Sequence, residues 1–210
     1  MKYLGKPAGM WALFAGSFEK HLTVEFDLTA GQAKDVAARA KKKYREIIAK
    51  LPEFDKRDRF EMNIVNCAML AAFILCMPQR PDIKTLTDYY AAAMMTPTMK
   101  AFCRASGKKK FTPKDIEGMK ATAKLRAGDR NPYSWNMDFF EYEDGSGYEA
   151  RFTTCGICTL MQVWGLYDLT PALCHLDYTM SDAGGASDFV REYTLASGGP
   201  YCDCGYHKKQ

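Results

Sequence analysis

The spacing of apolar residues changes once along this chain, and this change constrains the fold more than any other feature. Before about residue 130, apolar residues recur at helical intervals, whereas Trp135, Met137 and Phe139 alternate with polar residues as they do in a strand. Residues 1–130 contain 25 of the 29 Lys and Arg and 14 acidic residues, a net charge of +11, and residues 131–210 carry −7. The overall charge of +4 is therefore a cancellation between two different segments.

The first segment, residues 1–130, is predicted to be helical. One apolar stripe with most lysines outside it predicts an amphipathic helix, and a stretch that is apolar nearly all round predicts a central buried one. Proline residues follow both, as expected at helix ends. The predicted helices lie around 11–22, at 33–51, 59–77 and 82–106, with a kink or break at Thr96-Pro97, and a short one begins at Thr112-Pro113.

The second segment, residues 131–210, alternates between strand and helix patterns. Asp144-Gly145-Ser146-Gly147 is typical of a hairpin turn, and the pair Phe139-Phe140 shifts the alternation as a bulge would. We predict strands at 135–139, 148–152, 189–195 and 201–207, with two helices, 155–164 and 170–181, inserted between the second and third. This order predicts an α+β fold in which an antiparallel sheet carries helices on one face and packs with the first segment as one compact domain.

Composition excludes several classes of protein. A chain that is 47% hydrophobic with a net charge of +4 is not intrinsically disordered. The longest apolar run, Cys67 to Met77, has 11 residues, and a membrane span needs about 20. Pro7 and Gly9 interrupt the apolar N-terminal stretch, which favours a helix over a signal peptide. We expect a cytoplasmic protein with no membrane contact and mostly reduced thiols.

The basic first segment does not by itself predict nucleic-acid binding. Lys41 to Lys43 and Lys108 to Lys110 are short clusters outside any recognised binding motif, and solvated helix faces explain them better. The opposite charges of the two segments could attract each other within one chain or between chains, so an oligomer is left open.

The motif Cys155-Gly156-Ile157-Cys158 is the most specific local pattern in the chain. It stands where a strand becomes a helix that Thr153 or Thr154 could cap. A cysteine at a helix N-terminus faces free N–H groups and the positive end of the helix dipole, both of which favour the thiolate. The pattern permits thioredoxin-like redox chemistry, a nucleophile or metal ligand within a larger site, or two buried thiols.

Further candidates follow in the acidic segment, which holds five of the eight cysteines. Cys174 and Asp177 are three residues apart and are predicted to share one helix face. Arg191 is predicted to lie among apolar residues on the third strand, either at a solvent edge or in a cavity where its planar fork suits a carboxylate. Cys202 shares a face of the last strand with Cys204 and could complete a cluster with Cys155.

Three pieces of the stretch 135–206 resemble the L-2-amino-thiazoline-4-carboxylic acid hydrolase family: FTTC at 152–155, LCHLDY at 173–178 and REYTLASGGPYCD at 191–203. Two departures bear on the substrate. Such proteins usually carry Cys-Pro where this chain has Cys155-Gly156, and often an aromatic residue at the position of Cys204. The last piece is more distantly similar to 4-vinyl-reductase-type domains, some of which bind zinc through cysteines, although Thr194 stands here in place of one such ligand.

The resemblance implies hydrolytic opening of a small cyclic amidine that carries a carboxylate, with no resident cofactor. In this hypothesis Cys155 attacks the amidine carbon or binds the group that activates a water. Asp177 is the general base or holds the proton of the leaving nitrogen, and Arg191 clamps the substrate carboxylate. Cys174 and Cys202 line the site, and a tyrosine, Tyr178 or Tyr193, donates to developing charge.

Two alternatives stay open at the level of the sequence. A thiol redox protein would cycle a disulfide between Cys155 and Cys158, although thioredoxin folds place such a motif ahead of a parallel sheet. A non-catalytic small-molecule or metal-binding domain would use Cys155, Cys174, Asp177 and Cys202, a donor set that suits zinc.

Overall fold

Helices fill the first segment in the order that the apolar spacing predicts. In the computed structural model, which describes residues 1–128 and 130–209, they are α1 (Lys6–Glu25), α2 (Ala30–Lys50), α3 (Glu61–Ile74), α4 (Ile83–Met94), α5 (Pro97–Gly107) and α6 (Pro113–Arg126). The side chains of Thr29, Asp82, Thr96 and Thr112 cap the N-termini of α2, α4, α5 and α6. The predicted break at Thr96-Pro97 is confirmed, because Thr96 caps α5 and Pro97 is its first residue.

Helix α3 is the centre of the main hydrophobic core. Nearly every side chain from Ile64 to Ile74 is buried on it, as the uniformly apolar sequence predicts. Phe73 stacks on Trp11 with ring centroids 5.7 Å apart and meets Phe18 at 5.1 Å, so that α1 packs directly on α3. The same cluster includes Leu160 and Leu173 from the second segment. Burial of apolar side chains thus joins the two segments.

The second segment forms a four-stranded antiparallel sheet, as predicted. Its strands are β1 (Asp138–Glu141), β2 (Gly147–Phe152), β3 (Ser187–Val190) and β4 (Cys202–Lys208), in the spatial order β1-β2-β4-β3. Between β2 and β3 the chain forms α7 (Gly156–Val163), α8 (Thr170–Cys174) and α9 (Leu176–Gly184). The α+β class is confirmed.

One face of the sheet is buried and carries a second hydrophobic cluster. Tyr148 and Ala150 of β2, Phe189 of β3 and Cys204 of β4 lie on this inner face, together with Met119 of α6. Helix α9 packs beside them and crosses α5 closely: a Cβ added to Gly107 would lie 2.3 Å from the carbonyl oxygen of Gly184. The inner face therefore lies between the sheet and the helices that cover it.

The bounds of the first and third strands differ from the prediction. β1 begins at Asp138 rather than Trp135, because Trp135 is buried in the helical core and its carbonyl accepts a hydrogen bond from Arg126. The register across Phe139 and Phe140 is regular, so the predicted bulge is wrong. β3 ends at Val190 rather than Leu195, because the next backbone N–H groups bond to the carboxylate of Asp203 instead of to a strand.

The helices between β2 and β3 also differ in detail. The second predicted helix, 170–181, is divided into α8 and α9 at His175, so Cys174 and Asp177 lie on separate short helices. Across residues 1–128 and 130–209, no helix combines the length and the apolar character that a membrane span requires.

Candidate functional site

Cys155 occupies the N-cap position of α7, where the strand-to-helix junction exposes backbone donors. The Cys158 thiol hydrogen-bonds to Cys155 and is the largest cause that lowers the pKa of the Cys155 thiol. The backbone N–H groups of Ile157 and Cys158 and the indole N–H of Trp135 lower this pKa further, against the effect of burial. A lowered pKa is the direction expected for a cysteine at a helix N-terminus.

The capping role predicted for Thr153 or Thr154 is wrong. Helix α7 has no side-chain cap, and both threonines bond instead to Asn136. The side-chain oxygen of Asn136 accepts the backbone N–H of Thr153 at 2.9 Å and that of Thr154 at 2.8 Å. The reason is geometric: the chain before β1 runs alongside the junction and takes up the backbone donors of Thr153 and Thr154.

Arg191 lies directly after β3 and joins two of the other candidates. It donates to the carboxylate of Asp177 at 2.8 Å and to the carbonyl oxygen of Cys174 at 2.6 Å. Its guanidinium also lies over the rings of Tyr178, at 5.4 Å, and Phe189, at 5.1 Å. Only 7% of the Arg191 side chain is exposed, against 45% of Asp177. Arg191, which is predicted to bind the substrate carboxylate, therefore already binds the carboxylate of Asp177.

The charge of Cys155 is among the causes that raise the pKa of Cys174 and of Cys202. Burial, followed by the nearby charge of Cys155, raises the pKa of Cys174 to about 12. Burial is also the largest cause that raises the pKa of Cys202, whose sulfur accepts the backbone N–H of Leu195 at 3.2 Å. The charges of Asp177 and Arg191 act on both thiols. Among these three cysteines, only Cys155 has a lowered pKa.

Asp177 is a carboxylate in a confined position. Burial raises its pKa, and the positive charges of Arg191 and Lys110 oppose this effect. A carboxylate with a raised pKa accepts and releases a proton closer to neutral pH than an ordinary aspartate does. This is the property that a general base in the site requires.

A cavity of about 160 Å³ opens beside Arg191, between α8, α9 and the loop after β3. Cys174, Tyr178 and Arg191 line it, while Cys155, Asp177 and Cys202 are not among its lining residues. An enclosed space of about 150 Å³ can accept a molecule the size of benzene. A single small ring is therefore the size class that this cavity fits.

The two alternative chemistries can be compared with the same geometry. All eight cysteines are free thiols, including Cys155 and Cys158. Within the residues described, 1–128 and 130–209, no group of three or more His, Cys, Asp or Glu side chains is arranged to hold a metal ion. The zinc hypothesis for Cys155, Cys174, Asp177 and Cys202 therefore gains no support from the arrangement of these side chains.

The structure adds residues to the site that the sequence analysis missed. Trp135, predicted only as a strand residue, is buried in the helical core and is one of the causes that lower the pKa of Cys155. Cys67 is buried, and the charges of Cys155 and Asp177 are among the causes that raise its pKa. Asp203 accepts hydrogen bonds from the backbone N–H groups of Glu192 and Tyr193 and so fixes the loop that follows Arg191. No local pattern marks these residues, because each acts on a part of the chain that is distant in sequence.

The fold is α+β, and its C-terminal segment holds an ion pair between Arg191 and Asp177 and a cysteine, Cys155, whose pKa is lowered at the N-terminus of α7. The model of the L-2-amino-thiazoline-4-carboxylic acid hydrolase family matches residues 62–206, which is more than half of the chain. The chain therefore belongs to this family. No curated protein and no solved structure matches it.

Proposed function

We propose that the protein hydrolyses a small thiazoline-type ring that carries an amidine and a carboxylate. The observation that carries this proposal is a cavity of about 160 Å³ lined by Cys174 and Arg191, in a segment where the pKa of the Cys155 thiol is lowered. Membership of the family supports the same class of substrate.

In the proposed reaction the thiolate of Cys155 attacks the amidine carbon of the ring. A bond from the Cys155 sulfur to this carbon forms, and the electron pair of the carbon–nitrogen double bond moves to the ring nitrogen, which takes a proton from solvent. The lone pair of the amino nitrogen then expels the ring sulfur, which leaves as a thiolate. Water adds to the resulting thioester-like carbon and Cys155 leaves as the thiolate. The net change is the addition of one water molecule and the opening of the ring.

Asp177 acts as the general base in this proposal. It takes a proton from the water that attacks the carbon bound to Cys155 and passes it to the thiolate already released from the ring. Arg191 holds the carboxylate in place through the 2.8 Å ion pair. A contact between Arg191 and the substrate carboxylate, as predicted from the sequence, would have to use the N–H groups that Asp177 and Cys174 leave over.

The test is turnover of L-2-amino-thiazoline-4-carboxylate, followed by the appearance of the free thiol product. Cys155→Ala is expected to lose at least about a hundredfold in kcat, and Asp177→Asn to lose about 10²–10⁴-fold. Cys103→Ala is the matched control, since Cys103 is a buried cysteine on α5 away from the site. Full turnover by both Cys155→Ala and Asp177→Asn would refute the assignment.

A redox function is the second candidate, favoured by the hydrogen bond between the Cys155 and Cys158 thiols. It requires the pair to form a disulfide reversibly at a potential within the cellular range. Thiol titration before and after mild oxidation would show the loss of two thiols, and Cys158→Ser would abolish it. A hydrolase is instead expected to keep its turnover in Cys158→Ser.

A further inference from the structure

The cavity beside Arg191 is lined by charges of both signs. Arg191 and Glu192 are adjacent in the loop after β3, and both line the cavity, together with His175 from the junction of α8 and α9. Glu192 is exposed, whereas only 7% of the Arg191 side chain is exposed. The two charges therefore differ in depth: the guanidinium is covered by protein and the carboxylate is close to solvent.

The positive charge in this cavity is already balanced by the protein. Arg191 donates to the carboxylate of Asp177 at 2.8 Å and to the carbonyl oxygen of Cys174 at 2.6 Å. Glu192, in contrast, takes part in no ion pair within residues 1–128 and 130–209. The charge that remains for a ligand in the cavity is thus the negative charge of Glu192.

A second carboxylate lies behind the backbone of Glu192. Asp203 accepts the backbone N–H of Glu192 at 2.9 Å and that of Tyr193 at 2.6 Å. These hydrogen bonds fix the loop at the edge of the cavity and bring a further negative charge close to it. Because charges of one sign attract a ligand of the other, this end of the cavity favours a cation.

We propose that Glu192 is a specificity-determining residue whose carboxylate binds the protonated amidine of the ring. The inference rests on the proposed function, because it concerns the substrate of the same cavity. An amidine is a base that carries a proton at neutral pH, and its planar N–C–N group presents N–H donors side by side. A carboxylate accepts such a pair of donors as it does those of an arginine. The ligand class is therefore a small ring that is cationic at one end.

The protonated ring is consistent with the balance of the proposed reaction. Its ring nitrogen already carries the proton that comes from solvent, and attack by the Cys155 thiolate moves the electron pair of the carbon–nitrogen double bond onto this nitrogen. The positive charge of the amidine disappears as the new bond forms. The ion pair with Glu192 therefore strengthens the binding of substrate more than it stabilises the transition state, so it acts on KM rather than on kcat.

The first experiment measures kcat and KM of Glu192→Gln with L-2-amino-thiazoline-4-carboxylate. The substitution keeps the size of the side chain and removes its charge. We expect KM to rise by about fivefold, as for an ion pair partly open to water, and kcat to change by less than about twofold. Glu143→Gln is the matched control, because Glu143 is an exposed acid between β1 and β2, and its KM should equal that of the wild type.

The second experiment measures binding without turnover, by calorimetric titration in a Cys155→Ala background. Two ligands are compared: L-2-amino-thiazoline-4-carboxylate and thiazoline-4-carboxylate, which lacks the amino group and has a neutral ring at pH 7. Adding Glu192→Gln should weaken binding of the first ligand by about fivefold and leave binding of the second unchanged. Equal weakening of both ligands would show that Glu192 shapes the cavity without reading charge, and would overturn the proposal. Unchanged binding of the first ligand, or no binding of it at all, would overturn the proposal too.

Failure of the proposed function has a different outcome. If the wild type opens no ring but Glu192→Gln selectively weakens binding of the cationic ligand, the hydrolase assignment fails and the cation site at Glu192 stands. If the wild type opens the ring and Glu192→Gln changes neither KM nor the preference between the two ligands, the hydrolase assignment stands and the role of Glu192 fails.

Discussion

The two hydrophobic clusters of this protein differ in the kind of side chain that they bury. Around α3, the buried side chains are almost all apolar, and the lysines of α2 such as Lys41 and Lys42 stay exposed. On the inner face of the sheet, burial includes ionisable groups: Cys204 is a buried thiol beside Arg191 and Asp177, and Lys110 lies 3.4 Å from the centre of the Tyr206 ring. Burial in the first region stabilises the fold. In the second region, burial removes ionisable groups from water at a cost in the free energy of unfolding.

The largest expected effect on the free energy of unfolding comes from truncating a buried side chain in the first region. Phe73→Ala removes a fully buried ring that stacks on Trp11 and Phe18, and should lower the free energy of unfolding by about 3–5 kcal/mol. Urea unfolding followed by circular dichroism measures it. Cys204→Ala, on the inner face, should cost far less, and equal losses for the two variants would contradict the division between the regions.

An intermediate effect is expected at Lys110. Burial lowers the pKa of Lys110 to about 8. Between pH 8 and the ordinary lysine value of about 10.4 the unfolded chain binds more protons than the folded one, so the free energy of unfolding contributed by this residue rises with pH. Lys110→Met should therefore stabilise the protein near pH 7 by about 1–3 kcal/mol and should lose this advantage toward pH 10.

The control for Lys110 is its neighbour. Lys109 is exposed, and Lys109→Met should leave both the free energy of unfolding and its pH dependence unchanged. If Lys110→Met destabilised the protein at every pH, its contacts with Tyr206 and Tyr148 would outweigh the cost of burying its charge.

The smallest effect is expected at Asp177. Burial raises its pKa in the folded protein, so the folded state binds more protons than the unfolded one as the pH rises through and above the ordinary aspartate range. The contribution of Asp177 to stability therefore falls as the pH rises through that window. Asp177→Asn should remove this slope, which unfolding midpoints measured from acid to neutral pH would reveal. A slope that persists unchanged in Asp177→Asn would place its origin elsewhere.

The same contrast explains what the sequence could predict. The helices were predictable because their causes are local: apolar spacing, Thr and Asp caps and prolines all lie within a few residues of the helix they define. The lowered pKa of Cys155 was predictable in part for the same reason, since its causes include backbone groups of the next three residues. Helix termini and turns can be predicted from a single sequence because the residues that define them are close together in the chain.

The contacts of the candidate site residues were not predictable because their partners are distant in the sequence. Arg191 was assigned to a substrate carboxylate, whereas it bonds to Asp177, 14 residues earlier. β3 ends early because the carboxylate of Asp203 accepts hydrogen bonds from the backbone N–H groups of Glu192 and Tyr193. No property of residues 189–195 indicates these hydrogen bonds. Trp135 has the alternation of a strand residue, and only the contact with Arg126 shows why it leaves the sheet.

The position of β4 has a consequence for the order in which the molecule can be assembled during synthesis. β4 comes after the other three strands in the chain, yet it lies between β2 and β3 and pairs with both. A growing chain can pack its helical segment early, because domains fold from the N-terminus as they are made. The sheet, however, keeps a gap at its centre until residues 202–208 have been added. Until then the inner face of the sheet lacks Cys202 and Cys204, and the Arg191 guanidinium lacks the Cys204 sulfur that lies beside it in the finished fold.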